Sequence, residues 1–137
     1  HCGLKNRLTN LDAIDRPGVR VIVNPGGTNE RYVTRTLKAA TIIRHPDNET
    51  IFEALLAGQA DLMITDAIEV LVMTKRYDGL CPSMPRTLLT HQNKGWLLPK
   101  DPVLLARVEQ FLTPLIESGE LSQLKAAEIE RAAHSAH

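Results

Sequence analysis

Three short β-branched and aliphatic runs recur along this chain, each followed by a segment of helical period, and that alternation restricts the fold more than any other feature. Val19-Arg20-Val21-Ile22-Val23, Thr41-Ile42-Ile43-Arg44-His45 and Leu62-Met63-Ile64-Thr65 read as strands, the first of them buried. After Asn24-Pro25-Gly26-Gly27, Thr28 reads as the N-cap of a helix with Val33, Leu37 and Ala40 on one face. Pro46 closes the second strand, and Asp47 or Asn48 caps a helix with Ile51, Phe52, Leu55 and Leu56 inward and Gly58 as its stop. Asp66 caps a third helix holding Val70, Leu71 and Met73. The order β-α-β-α-β-α implies a parallel sheet with right-handed crossovers, so the fold class is α/β.

The rest of the chain has a different texture. Residues 78–95 are loop-rich, and Trp96-Leu97-Leu98 reads as a further strand, with Trp96 a core or cleft-wall aromatic. Asp101-Pro102 pairs an N-cap with a first-turn proline and opens a helix carrying Leu104, Leu105, Val108, Phe111, Leu112, Leu115 and Ile116. Pro114 should kink it. Ser118-Gly119 resets the chain before a last helix with Leu121 and Leu124. The expected organisation is therefore a polar lead-in and hinge over 1–18 ending in Arg16-Pro17-Gly18, an α/β lobe over 19–98, C-terminal helices over 99–125 and a fraying tail over 126–137.

Composition narrows the function classes. A length of 137 residues suits one domain with a real core. Sixteen basic residues balance sixteen acidic ones, which leaves no electrostatic footprint for nucleic acid or an anionic membrane. No apolar run approaches the roughly 20 residues of a bilayer span. The chain lacks a signal peptide and an initiator Met and reads as processed or cut. Cys2 and Cys81 are too few for a zinc ribbon; they either pair in an oxidising compartment or are inert.

Ligands of an open parallel sheet bind beyond the carboxyl ends of its strands, and two such ends are polar here. In Gly26-Gly27-Thr28-Asn29-Glu30 the glycines permit close backbone approach, and free N–H groups at the helix start can hold an anion. The same residues also read as an ordinary capped turn. In Thr65-Asp66-Ala67-Ile68-Glu69, Glu69 either completes a capping box with Asp66 or stands in the cleft as a proton donor. The histidines form no site: His1, His134 and His137 are terminal, and His45 and His91 are isolated. No metal set, nucleophile elbow or cofactor fingerprint appears, so no cofactor is expected.

Leu55-x-x-Gly58-x-x-Asp61 followed by Asp66 resembles the type II periplasmic solute-binding proteins, the amino-acid-binding family. Within it, Asn24-Pro25-Gly26-Gly27-Thr28-Asn29-Glu30, His45-Pro46-Asp47-Asn48 and Thr65-Asp66-Ala67-Ile68-Glu69 resemble the periplasmic cyclohexadienyl (prephenate/arogenate) dehydratases, over about residues 11–124. The resemblance implies a decarboxylating dehydration of a small dicarboxylate, prephenate to phenylpyruvate or arogenate to phenylalanine, with no cofactor. Glu69 matches the acidic residue implied as general acid. Thr28, with Gly27 and its N–H groups, matches the carboxylate-holding helix start; Asn29 would orient the ligand, Asp66 would line the site, and Glu30 is a weaker candidate that reads as solvated helix surface. The family binds its ligand between two lobes, so this chain is expected to supply one, with the N-terminal lobe absent and the piece inactive alone. Exposed apolar side chains such as Leu104, Leu105 and Leu112 would then favour self-association into a homo-oligomer. The resemblance also implies a periplasmic location and a Cys2–Cys81 disulfide closing a long loop. The alternative is a non-catalytic receptor for an amino acid or other small carboxylate, and a third reading is an interaction module without a ligand.

Overall fold

A computed structural model describes residues 1–92 and 95–134. The chain forms two compact units, His1–Thr87 and Leu88–His137, so the division falls within the loop-rich stretch and before the Trp96-Leu97-Leu98 run.

The first unit is built on strands β1 (Arg20–Val23), β2 (Thr41–Arg44) and β3 (Leu62–Met63). They lie in the order β2-β1-β3, parallel throughout, with Val21 opposite both Ile42 and Leu62. As the central strand, β1 is covered on both faces, and Val21, Ile22 and Val23 are fully buried. Helix α3 (Ile51–Leu56) covers one face, packing Ile51, Phe52 and Leu55 against Ile22. Helices α2 (Thr28–Thr36) and α4 (Ala67–Arg76) follow β1 and β3.

Several boundaries differ from the sequence expectation. The lead-in is not merely polar: it holds a 3-10 turn, Cys2–Leu4, and helix α1 (Leu11–Ile14), and it buries Leu8 and Ile14. Asn10 caps α1, its Oδ1 accepting from Ala13 N–H at 2.8 Å. Gly27, not Thr28, is the N-cap of α2, and Thr28 opens the helix. That helix ends at Thr36, which leaves Ala40 beyond it, because Asp15 draws the next turn of backbone to itself. Its Oδ1 accepts from Lys38, Ala39 and Ala40 N–H at 2.8, 2.6 and 2.9 Å. Thr50 precedes α3 as its N-cap in place of Asp47 or Asn48; Asp47 accepts instead from Glu49 N–H at 2.8 Å. On α4, Leu71 is half exposed, so only part of the apolar stripe faces inward.

The second unit pairs helices α5 (Pro102–Glu117) and α6 (Glu120–His134). Asp101 caps α5 as expected, accepting from Val103 and Leu104 N–H at 2.9 and 3.1 Å. The helix runs past Pro114 to Glu117, and Gly119, at φ 79°, turns the chain into α6. Helix α6 continues to His134, past Ala126, where the helical period of the sequence is lost. Trp96-Leu97-Leu98 is not a strand: with no partner ladder among the described residues its backbone stays irregular, and Trp96 and Leu97 are 69% and 100% exposed. Trp96 is thus neither a core nor a wall residue in this unit. Val103, Leu104, Leu105, Phe111 and Ile116 are exposed as the apolar-surface reading requires, whereas Leu112 is half-buried. No described helix is long and apolar enough to cross a membrane.

Candidate functional site

The carboxyl ends of β1, β2 and β3 carry the three motifs singled out in the sequence, and the parallel sheet brings all three to one edge. Asn24 ties the first two ends together, its Nδ2 donating to the His45 carbonyl at 3.2 Å.

Beyond β1 the chain turns at Gly26, whose φ of 85° lies in the region that favours glycine. No side chain caps α2 at Gly27. The first intrahelical bond runs from Arg31 N–H to the Gly27 carbonyl, so the amides of Thr28, Asn29 and Glu30 precede the helical ladder. Gly27 and Thr28 are exposed and Asn29 is half-buried. This is an uncapped, accessible helix start of nine residues, with the positive end of its dipole outward.

Glu30 is not solvated helix surface. Its Oε2 accepts from Gly26 N–H at 2.7 Å and its Oε1 from Arg44 Nε at 2.5 Å, with the side chain only 17% exposed. The Gly26 amide first, then the Arg44 guanidinium, hold this carboxyl below its ordinary range. One carboxylate therefore links the β1 turn, α2 and the end of β2. Beside Arg44, the His45 Nε2 lies 2.8 Å from Thr50 Oγ1, across the Pro46-Asp47-Asn48 loop.

At the end of β3, Asp66 is the N-cap residue of α4, but its side chain makes no capping hydrogen bond. Glu69, in the first turn of α4 and half-buried, accepts at Oε2 from the Thr65 hydroxyl. The Glu69 side chain is thus directed back toward the strand end and held by a hydroxyl that can donate to a carboxylate or accept from a carboxylic acid.

The structure brings Gly27, Thr28, Asn29, Asp66 and Glu69 to the same edge of the sheet. A hollow of about 90 Å3 lies beside β3, between Phe52, Leu62, Thr65, Val70, Met73 and Leu80. It touches Thr65 but neither Glu69 nor the exposed Gly26-Gly27-Thr28 turn. His134 closes α6 with its Nδ1 2.7 Å from the Glu130 carbonyl, and its sequence partner His137 lies outside the described residues.

Two features lie outside the three motifs. Cys2 and Cys81 are disulfide-bonded, with Cα atoms 4.7 Å apart. Asp61, the last residue of the Leu55-x-x-Gly58-x-x-Asp61 pattern, sits at the opposite end of the strands. Its carboxylate accepts from Arg20 N–H and from the Arg20 guanidinium, both at 2.8 Å, and this pairing holds the Asp61 carboxyl below its usual range. That motif aspartate joins β1 to β3. The Glu30–Arg44 link was not legible beforehand, because its members are 14 residues apart on different elements.

No family model matches the chain. It is 43% identical over 122 residues to the cyclohexadienyl dehydratase of Pseudomonas aeruginosa, an alignment covering 89% of this chain and 46% of that protein. Among solved structures it matches a crystal structure of an ancestral cyclohexadienyl dehydratase, with a TM-score of 0.61 and 36% identity, over 93% of this chain and 54% of that one. The chain thus spans about half the length of the relatives it matches. The resemblance to the cyclohexadienyl dehydratases holds in both sequence and fold.

Proposed function

We propose that this chain is one lobe, with its following helices, of a periplasmic cyclohexadienyl dehydratase, a carbon–oxygen lyase acting on prephenate or arogenate. The observation that carries the reading is Glu69, held by the Thr65 hydroxyl at the carboxyl edge of a parallel sheet, beside an uncapped helix start.

In prephenate one ring carbon carries a hydroxyl, and the opposite one carries a carboxylate and the pyruvyl side chain. Glu69 protonates the hydroxyl, the C–O bond breaks and water leaves. The bond to the ring carboxylate then supplies its electron pair to the ring, CO2 departs, and phenylpyruvate forms. Aromatisation drives the reaction, so the protein has to position the ring and deliver one proton. A general acid so placed contributes typically 10²–10⁴-fold. The Thr65 hydroxyl keeps Glu69 in place in both protonation states, by donating to the carboxylate or accepting from the acid. The Thr28 hydroxyl and the amides of Thr28 and Asn29 hold a ligand carboxylate, Gly27 lets it approach the backbone, and the Asn29 side chain orients it. Asp66 stands at the same edge and would receive the amino group of arogenate. The open edge is completed by a second lobe, and the exposed apolar residues of α5 supply a surface for that lobe or for another copy of the chain.

The test is made in the full-length protein with the Glu69→Gln substitution. Phenylpyruvate formation, followed by absorbance, should fall at least 10²-fold while prephenate binding persists. Thr28→Ala should weaken binding first. Retained turnover in Glu69→Gln would remove the acid assignment; carboxylate binding with no turnover in the wild type would make the protein a solute receptor.

A further inference from the structure

Three groups stand in a row along the carboxyl edge of the sheet, because the strand order is β2-β1-β3. Glu69 follows β3, the uncapped start of α2 follows β1, and Arg44 ends β2. Neighbouring strands lie about 4.8 Å apart, so the row from β3 to β2 is about 10 Å long. Arg44 is half exposed, and only its Nε is engaged, by Glu30. Among the described residues its Nη1 and Nη2 groups have no hydrogen-bond partner, which leaves the end of the guanidinium fork open. Both oxygens of Glu30 are occupied, one by Gly26 N–H and one by Arg44 Nε, so that acid aims the arginine.

A ligand with its hydroxyl over β3 would extend its opposite ring carbon toward β1 and β2. That carbon bears the ring carboxylate and the pyruvyl side chain, which ends in the second carboxylate. We propose, on the basis of the dehydratase reading, that Arg44 receives the ring carboxylate while the first amides of α2 receive the side-chain carboxylate, so that Arg44 selects dicarboxylate over monocarboxylate ligands. An end-on guanidinium fork matches a carboxylate through two parallel N–H···O bonds. Decarboxylation then removes the one group that Arg44 holds. Phenylpyruvate keeps only the side-chain carboxylate, so product binds less tightly than substrate and is released.

The experiment compares the full-length wild type with Arg44→Gln and Arg44→Lys. It measures KM and kcat for prephenate and the inhibition constant of phenylpyruvate, with a thermal melt on each variant. Arg44→Gln should raise the prephenate KM about 10- to 100-fold and leave the phenylpyruvate constant within about twofold. Arg44→Lys, which keeps the charge but not the fork, should fall between; if Arg44→Gln does not fold, this variant carries the comparison. Equal weakening of both ligands would mean that Arg44 only supports the fold or holds the shared carboxylate, and would overturn the assignment, as would an unchanged prephenate KM. A wild type that neither binds nor turns over prephenate would overturn the dehydratase reading together with this one.

Discussion

Opening the Cys2–Cys81 disulfide should cost this protein more stability than any exposed side-chain substitution. The bond joins residues 79 apart in sequence. In the chain-entropy model, closing a loop of that length removes about 4.5 kcal/mol of freedom from the unfolded chain at 25 °C. The native contacts around it also join the two ends of the first unit. Cys2 N–H donates to the Gly79 carbonyl at 2.9 Å, the Ser83 hydroxyl donates to the Leu8 carbonyl, and both Leu8 and Leu80 are buried. The assay is urea unfolding of the oxidised protein against the paired Cys2→Ser and Cys81→Ser variant. With a slope of about 1–3 kcal/mol per molar urea for a small protein, the midpoint should fall by about 1.5–4.5 M. Hydrogen exchange should accelerate most at Leu8 and Leu80, since the reduced lead-in is tied by few other bonds. A midpoint shift under about 0.5 M at constant slope would refute the loop-entropy reasoning.

Asp15, Glu30, Asp47 and Asp61 are all held below the usual carboxylate range in the folded chain, Asp15 by the amides of Ala40, Lys38 and Ala39. The unfolded chain therefore binds more protons in mild acid. Stability should be full above roughly pH 4.5 and decline as pH falls through the depressed native values. Urea midpoints measured down the pH scale should show this decline, and Asp15→Asn should make it shallower; stability that rises on acidification would contradict the sign. Ile22→Ala, at a fully buried position in the central strand against α3, should cost about 2–5 kcal/mol in the same unfolding assay, and a cost near zero would mean the core collapses around it.

The three strands, their helices and the parallel order were legible from periodicity because each element is encoded by residues within a few positions of one another. Leu71 marks the limit of that signal. It has the right spacing on α4 but is half exposed, since a stripe is buried only as far as another element covers it. Trp96-Leu97-Leu98 shows the same limit for strands: an apolar run becomes a strand only when a neighbouring ladder takes its N–H and C=O groups. Candidate site residues were legible as types at strand ends, but their partners were not. Glu69 reads in sequence as part of a capping pair before it reads as an acid, and only the fold directs it to the Thr65 hydroxyl.

By itself, then, the sequence determined an α/β lobe with polar strand ends on one edge and a likeness to one branch of enzymes. Tertiary structure decided which charges meet. Glu30 reaches Arg44 across 14 residues, Asp15 gathers amides 23 to 25 residues away, and Arg20 meets Asp61 across 41. Such pairs leave no periodic trace, because a hydrogen bond depends on the distance between two groups in space and the chain between them can take any path.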